Sequence, residues 1–318
     1  MTASSDTYTK LCSMVGTDPA GRRPGRKILQ KIGFGNFELQ WLSDGHYYLD
    51  GGAMFGIIPK PLWEKKAQAD ERNRIRLGLN SLLVRTVEQN ILIETGIGPK
   101  LSDKMQRIYD NEARLLDSFA AARIDPEEID IVINTHLHFD HCGWNTMRRG
   151  DQIVPTFPRA RYYVQAGEAE HAHEQHERDR VSYMTDNYDP LIRSGQMHLL
   201  NGDREIAPGV SVRIYPGHTR AMQAVLIESA GRKACYISDL VPTRMHMDLV
   251  WVMAYDLYPM ESIESRRRFY SEAIAEEWLV FFTHDPDDPW AYVARDEKGR
   301  YTALPAETDV SPARPGRL

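Results

Sequence analysis

A chain of 318 residues, 42% hydrophobic and 26% charged, has enough apolar material for a sizeable core, built as one large domain or two. Its 39 basic and 45 acidic residues leave a net charge of −6, and no Lys/Arg block stands out that could grip phosphates, which argues against a nucleic-acid partner. No apolar run reaches the length of a membrane span, and residues 1–30 hold no apolar signal-peptide core. The three Cys (Cys12, Cys142, Cys235) are widely spaced with no Cys-x-x-Cys, so a disulfide framework is not expected and a cytoplasmic protein without membrane association is.

Residues 1–30 read as a polar, flexible arm; Gly-Arg-Arg-Pro-Gly-Arg at 21–26 is not followed by the apolar run an export signal needs. A single domain is expected over 31–302. It opens with short antiparallel strands at 37–42, 46–49, 81–86 and 91–94, separated by Gly, Asn and Asp. The Gly-rich apolar stretch Gly51–Pro59 reads as a loop that could wall a binding site, and this loop and the arm are the two candidate contacts for a homodimer. Ser102 caps a predicted helix over 103–122, with Met105, Ile108, Leu115, Leu116 and Phe119 on one face. The apolar run Ile129-Asp-Ile-Val-Ile-Asn reads as a buried strand, and at its C-terminal end, where α/β proteins place their sites, it delivers the stretch Asn134–Gly143.

A strand at 161–164 precedes a polar, helix-forming insertion at about 167–195. There His171, His173 and His176 sit among Glu168, Glu170, Glu174 and Glu177, the pattern of a solvated helix or a lid rather than a second metal site. In the second half, apolar strands beginning at Val210, Ala234 and Leu279 run into His218, Asp239 and His284 respectively, with a further strand at 224–228 and a helix at about 261–277. Residues 303–318 read as an extended tail.

The stretch Asn-Thr-His-Leu-His-Phe-Asp-His-Cys-Gly at 134–143 gathers His136, His138, Asp140 and His141, three of the chain's 11 His among them. In an extended segment residues two apart point the same way, so His136 and His138 can share one site, and a turn can bring Asp140 and His141 to a second. Imidazoles and carboxylates suit zinc, iron or manganese.

Together with His218, Asp239 and His284, this pattern resembles the metallo-β-lactamase superfamily of binuclear hydrolases over about residues 35–290. The resemblance implies an α/β fold of αββα type, two sheets face to face with helices outside. It also implies that His136, His138 and His218 hold one metal, that Asp140, His141 and His284 hold the other, and that Asp239 bridges them. His138 stands where the di-iron oxygen reductases have Glu, which disfavours redox chemistry, and Asp239 stands where one class of true β-lactamases has Cys.

What remains resembles the lactonase, esterase and phosphotriesterase group, particularly the N-acyl homoserine lactone lactonases and methyl parathion hydrolase-like enzymes, with thiolester hydrolases of the glyoxalase II type further off. The activity implied is hydrolysis of a small-molecule lactone or carboxylic ester, with a phosphotriester or thiolester as the alternative and a non-catalytic metal-binding sensor as a third reading. Water between two divalent ions loses a proton near neutrality, and Asp140 can pass a proton to the leaving alkoxide. The N/O ligand set points to zinc first, then iron, manganese or cobalt.

Two positions depart from the family pattern. Glu94-Thr95-Gly96 stands where Asp-Thr-Gly is usual, and Pro242 where the lactonases carry a substrate-contacting Tyr. The apolar, aromatic stretch from His246 to Pro259 is the source of a replacement, with Tyr255 and His246 as the candidates to line the pocket.

Overall fold

The computed structural model describes residues 30–306; Cys12, almost all of the expected arm and most of the expected tail lie outside them. In chain order the first half supplies β1 (Lys31–Phe34), β2 (Phe37–Asp50), β3 (Arg74–Arg85), β4 (Asn90–Ile93), β5 (Ile131–Ile133), β6 (Thr146–Arg149), β7 (Gln152–Pro155), β8 (Arg161–Gln165) and β9 (Met197–Leu200). β6 and β7 form a separate hairpin; the others make a seven-stranded sheet ordered β1-β2-β3-β4-β5-β8-β9. The second half supplies β10 (Arg204–Ala207), β11 (Val210–Ile214), β12 (Gln223–Ser229), β13 (Arg232–Tyr236), β14 (Leu279–Phe281), β15 (Trp290–Arg295) and β16 (Tyr301–Pro305), which form a second seven-stranded sheet in sequence order.

Side-chain alternation decides how the layers stack. Leu39, Ile93 and Ile133 of the first sheet meet Val212, Val225 and Phe281 of the second in one buried cluster between the sheets. Neighbours of opposite parity, such as Leu42, Leu83, Leu92 and Val132, point outward under helices. β4 and β5 pair in parallel and are buried on both faces, so they read as unbroken apolar runs rather than alternating ones.

The helices are α1 (Gly51–Phe55), α2 (Lys60–Trp63), α3 (Asp103–Tyr109), α4 (Leu115–Ala122), α5 (Phe139–Cys142), α6 (Ala166–Glu174), α7 (Asp189–Arg193) and α8 (Pro259–Ala275). Leu115 and Phe119 of α4, Ala169 and Ala172 of α6 and Leu191 of α7 cover the first sheet. Phe269, Tyr270 and Ala273 of α8 cover the second. The result is the αββα sandwich.

Several expectations are corrected. The helix placed at 103–122 is two, because Asp110 and Ala113 take left-handed φ (50° and 51°) and the buried Asp44 carboxylate accepts the Leu115 N–H at 2.7 Å, restarting the helix there. The strands placed at 37–42 and 46–49 are one, β2, with an irregularity between Ser43 and His46. Gly51–Pro59 opens as the helix α1, its first turn capped by Asp50; a Cβ at Gly51 would lie 2.4 Å from the Trp63 ring, so only Gly fits there. The segment 167–195 is no solvated insertion: Glu168, Ala169, Ala172, Tyr183, Tyr188 and Leu191 are buried, and it forms part of the outer layer. The extended tail expected from 303 begins instead in sheet, since Ala303, Leu304 and Pro305 pair with β15. Among the described residues no helix is long and apolar enough to cross a membrane.

Candidate metal centre

The site lies where β5, β11, β13 and β14 end. Past Ile133 the chain is pinned by Glu94, which follows β4: its Oε1 accepts the Thr135 N–H at 2.6 Å. The short helical turn α5, with His138 at its N-cap, then swings Asp140 and His141 round. His218 follows Gly217, whose φ of 147° and close approach to Ser262 (2.3 Å from a built Cβ) exclude any side chain. Asp239 sits in the 3-10 turn Ser238–Leu240 after β13, and His284 follows the neighbouring, parallel strand β14. Parallel pairing puts these last two strand ends side by side.

All seven residues expected as ligands come together, and all are buried. Nε2 of His136 and Nε2 of His218 each lie 3.1 Å from Nδ1 of His138. Nε2 of His284 lies 3.2 Å from Nε2 of His141, and Oδ2 of Asp140 lies 3.7 Å from both. Asp239 stands between the two groups. Its Oδ1 lies 3.1 Å from Nε2 of His284, and its Oδ2 lies 3.3 Å from His218 and 3.5 Å from His141.

Four of the five far ring nitrogens face a polar neighbour, which fixes what the near ones can do. Nδ1 of His284 donates to the Gly78 carbonyl (2.9 Å), and Nδ1 of His218 faces Asp256 Oδ1 at 3.0 Å. Nδ1 of His141 lies 3.1 Å from Glu94 Oε2, so the Glu in place of the usual Asp does reach its His. Nδ1 of His136 pairs with Thr135 Oγ1 at 3.0 Å. With protons on the outer nitrogens, the inner ones present lone pairs to each other, an arrangement that neutral imidazoles cannot satisfy and a cation can.

The electrostatics divide the imidazoles: burial alone would lower His141 and His218, but Asp239, Asp140 and Glu94 raise His141 well above the ordinary His range, and Asp239 and Asp256 raise His218. Burial and the neighbouring imidazoles of His141 and His218 hold His136 and His138 well below the ordinary His range, so both are neutral. Burial would raise Asp239, but His284, His141 and His218 outweigh it and keep the carboxylate ionised. Imidazole nitrogens and carboxylates, buried and convergent, fit divalent metal ions, which would take the place of the protons that the carboxylates otherwise hold on His141 and His218, and three overlapping groups could each hold one: His136/His138/His218, His136/His141/Asp239 and Asp140/His141/His284.

The two other residues expected at the site fare differently. Tyr255 is half-buried in an apolar cluster with Tyr109, Phe139 and Met253, within electrostatic reach of Asp140. His246 is fully buried, stacked on Phe55 at 4.7 Å, and its Nε2 donates to the Met54 carbonyl while its Nδ1 meets Thr243 Oγ1. Neither nitrogen of His246 is left for a substrate, so its expected place in the pocket is corrected to a packing role. Pro242, in the position of the family Tyr, offers its carbonyl to the His284 N–H. Of the second His group, His171 pairs with Asp179 and His173 with Ala169 and Asp189.

Sequence reasoning missed four supporting residues. Tyr47 in β2 donates to Asp140 Oδ2 at 2.7 Å. Asp256 orients His218. Glu168, read as a solvated charge, is fully buried and accepts from Leu137 N–H, Tyr183 O–H and Thr219 O–H, so it braces both metal-binding loops from behind. Asp44 accepts from the N–H groups of Ile97, Gly98 and Leu115 and from Trp144 Nε1. Only Asp44-Gly45 carried a signal, that of a turn.

The metallo-β-lactamase superfamily profile matches residues 75–297, and the chain belongs to that superfamily. An N-acyl homoserine lactonase of Bacillus cereus is 25% identical over 67% of this chain and 83% of its own length. A solved structure described as a probable metal-dependent hydrolase from Staphylococcus aureus is 32% identical, with a TM-score of 0.79 over 88% of this chain and all of that one. The fold also matches AidC, a dizinc quorum-quenching lactonase, with a TM-score of 0.73 at 20% identity over 87% of this chain and 97% of that one. The protein is a metal-dependent hydrolase.

Proposed function

We propose that the protein hydrolyses a lactone or carboxylic ester with a pair of divalent ions, zinc first, held by His136, His138 and His218 on one side and Asp140, His141 and His284 on the other. The observation that carries this reading is the division of Asp239, one oxygen toward His284 and the other toward His218 and His141. The lactonase name of its relatives supports the substrate class. Two divalent ions held by this donor set would lower the pKa of bound water and polarise a carbonyl oxygen.

The protein's own residues then have distinct tasks. Asp140, the ligand carboxylate bonded to Tyr47, takes and returns the proton that the leaving alkoxide needs. Tyr109 and Phe139, with ring centroids 5.0 Å apart, and Tyr255 form the apolar side of the site and meet the acyl portion. Of these, Tyr255 is the candidate for the hydroxyl that Pro242 cannot supply.

The test is a panel of lactones, aryl esters, thiolesters and phosphotriesters, each with metal-loaded protein. The expected outcome is the highest kcat/KM on a lactone or carboxylic ester, reduced in Tyr255→Phe. A preference for phosphotriesters or thiolesters would replace this reading by those alternatives, and no turnover with metal bound would leave a sensor.

A further inference from the structure

The pair of metal positions is not supported symmetrically. Among the described residues, the outer nitrogens of His136, His218 and His284 have hydrogen-bond partners and that of His141 faces Glu94 Oε2 at 3.1 Å, whereas Nε2 of His138 is buried with no partner. Among the described residues Asp140 has no backbone donor, and the group that holds its carboxylate is the Tyr47 hydroxyl, 2.7 Å from Oδ2, the same oxygen that faces His141 and His284. That hydroxyl also stands 3.4 Å from both ring nitrogens of His284, and the Tyr47 ring is tilted against the imidazole with centroids 5.4 Å apart.

Tyr47 is itself tightly placed. It lies in β2 opposite Leu77 of β3, is 1% exposed, and is packed with Leu77, Leu79 and Ile97. A rigid ring in a dry core gives the hydroxyl one position, and a hydrogen bond to a carboxylate in such surroundings is strong.

We propose that Tyr47 is the positioning residue of the Asp140/His141/His284 half of the centre, setting the carboxylate rotamer of Asp140 and the ring plane of His284 so that this half binds its metal. The inference rests on the two-metal reading above. It assigns Tyr47 no contact with substrate; it acts through Asp140 and His284.

The test uses full-length holoprotein and Tyr47→Phe, which keeps the ring and removes the hydroxyl. Metal is stripped and returned as Co(II) or Zn(II), with chelator competition giving the affinity of each equivalent and Co(II) absorption reporting ligand geometry. The first equivalent should bind as in the wild type, while the second should bind on the order of tenfold more weakly, the scale of a lost partner to a metal ligand, with an altered Co(II) spectrum. kcat should fall with KM little changed. In an Asp140→Asn background, Tyr47→Phe should add little further loss, since the two act as one unit. Unchanged affinity for both equivalents and an unchanged spectrum would overturn the proposal, as would full additivity of the two substitutions. If the wild type itself binds a single equivalent, the two-metal reading fails instead, a result distinct from either.

Discussion

Two stretches of this chain each hold three His within six positions, His136/His138/His141 and His171/His173/His176, and among the described residues only the first contributes to groups that could hold a metal ion. The difference is the backbone period. In the extended segment after β5, residues two apart share a side, so His136 and His138 converge with ring centroids 4.5 Å apart. In the helix α6, residues two apart point about 200° away from each other, so His171 and His173 diverge to separate partners, Asp179 and Asp189. Composition alone cannot tell the two apart. What decides is whether distant strand ends bring a second set of ligands to meet the first.

Substitutions on either side would break or sharpen this contrast. The largest effect is expected for His138→Ala, which should abolish metal binding in its half and take ester hydrolysis to background, whereas His173→Ala should leave metal content by elemental analysis and kcat/KM unchanged. Below that comes Glu94→Gln: the carboxylate facing Nδ1 of His141 is lost, and metal affinity by chelator competition should weaken about 10- to 100-fold with the fold intact. Glu168→Ala probes the one residue of α6 that does serve the site. It leaves an N–H and two buried hydroxyls without their acceptor, and should cost about 3 kcal/mol in denaturant unfolding, with some loss of metal affinity through the loosened His136–His138 loop. The smallest effect belongs to His171→Ala, whose partly exposed pair with Asp179 is worth less than about 1 kcal/mol in the same unfolding measurement.

The legible part of the molecule was the part with a local signature. The ligand motif at 134–143 and the three strands running into His218, Asp239 and His284 show in the sequence because an apolar strand followed at once by a metal-binding side chain is a local pattern. The αββα layering came through the resemblance those residues carry. The supporting shell was not legible, because Tyr47 reaches Asp140 across 93 residues and Asp256 reaches His218 across 38, and nothing near either residue in sequence marks it. The segment 167–195 was misread for the same reason: its charges suggest solvent, yet Glu168 is satisfied by donors from three other places in the chain. The break at Asp110 depended on Asp44, 71 residues before the Leu115 it caps. His246 reads as a pocket-lining residue by type and position, but its ring nitrogens are matched to Thr243 and Met54.

The most direct test of the paired-metal centre is elemental analysis of protein purified without chelator, read beside lactone hydrolysis before and after metal removal. The expected result is about two divalent ions per chain, with hydrolysis lost on stripping and regained as the second equivalent of zinc is returned. A single equivalent that restores full activity, or undiminished hydrolysis by stripped protein, would contradict it.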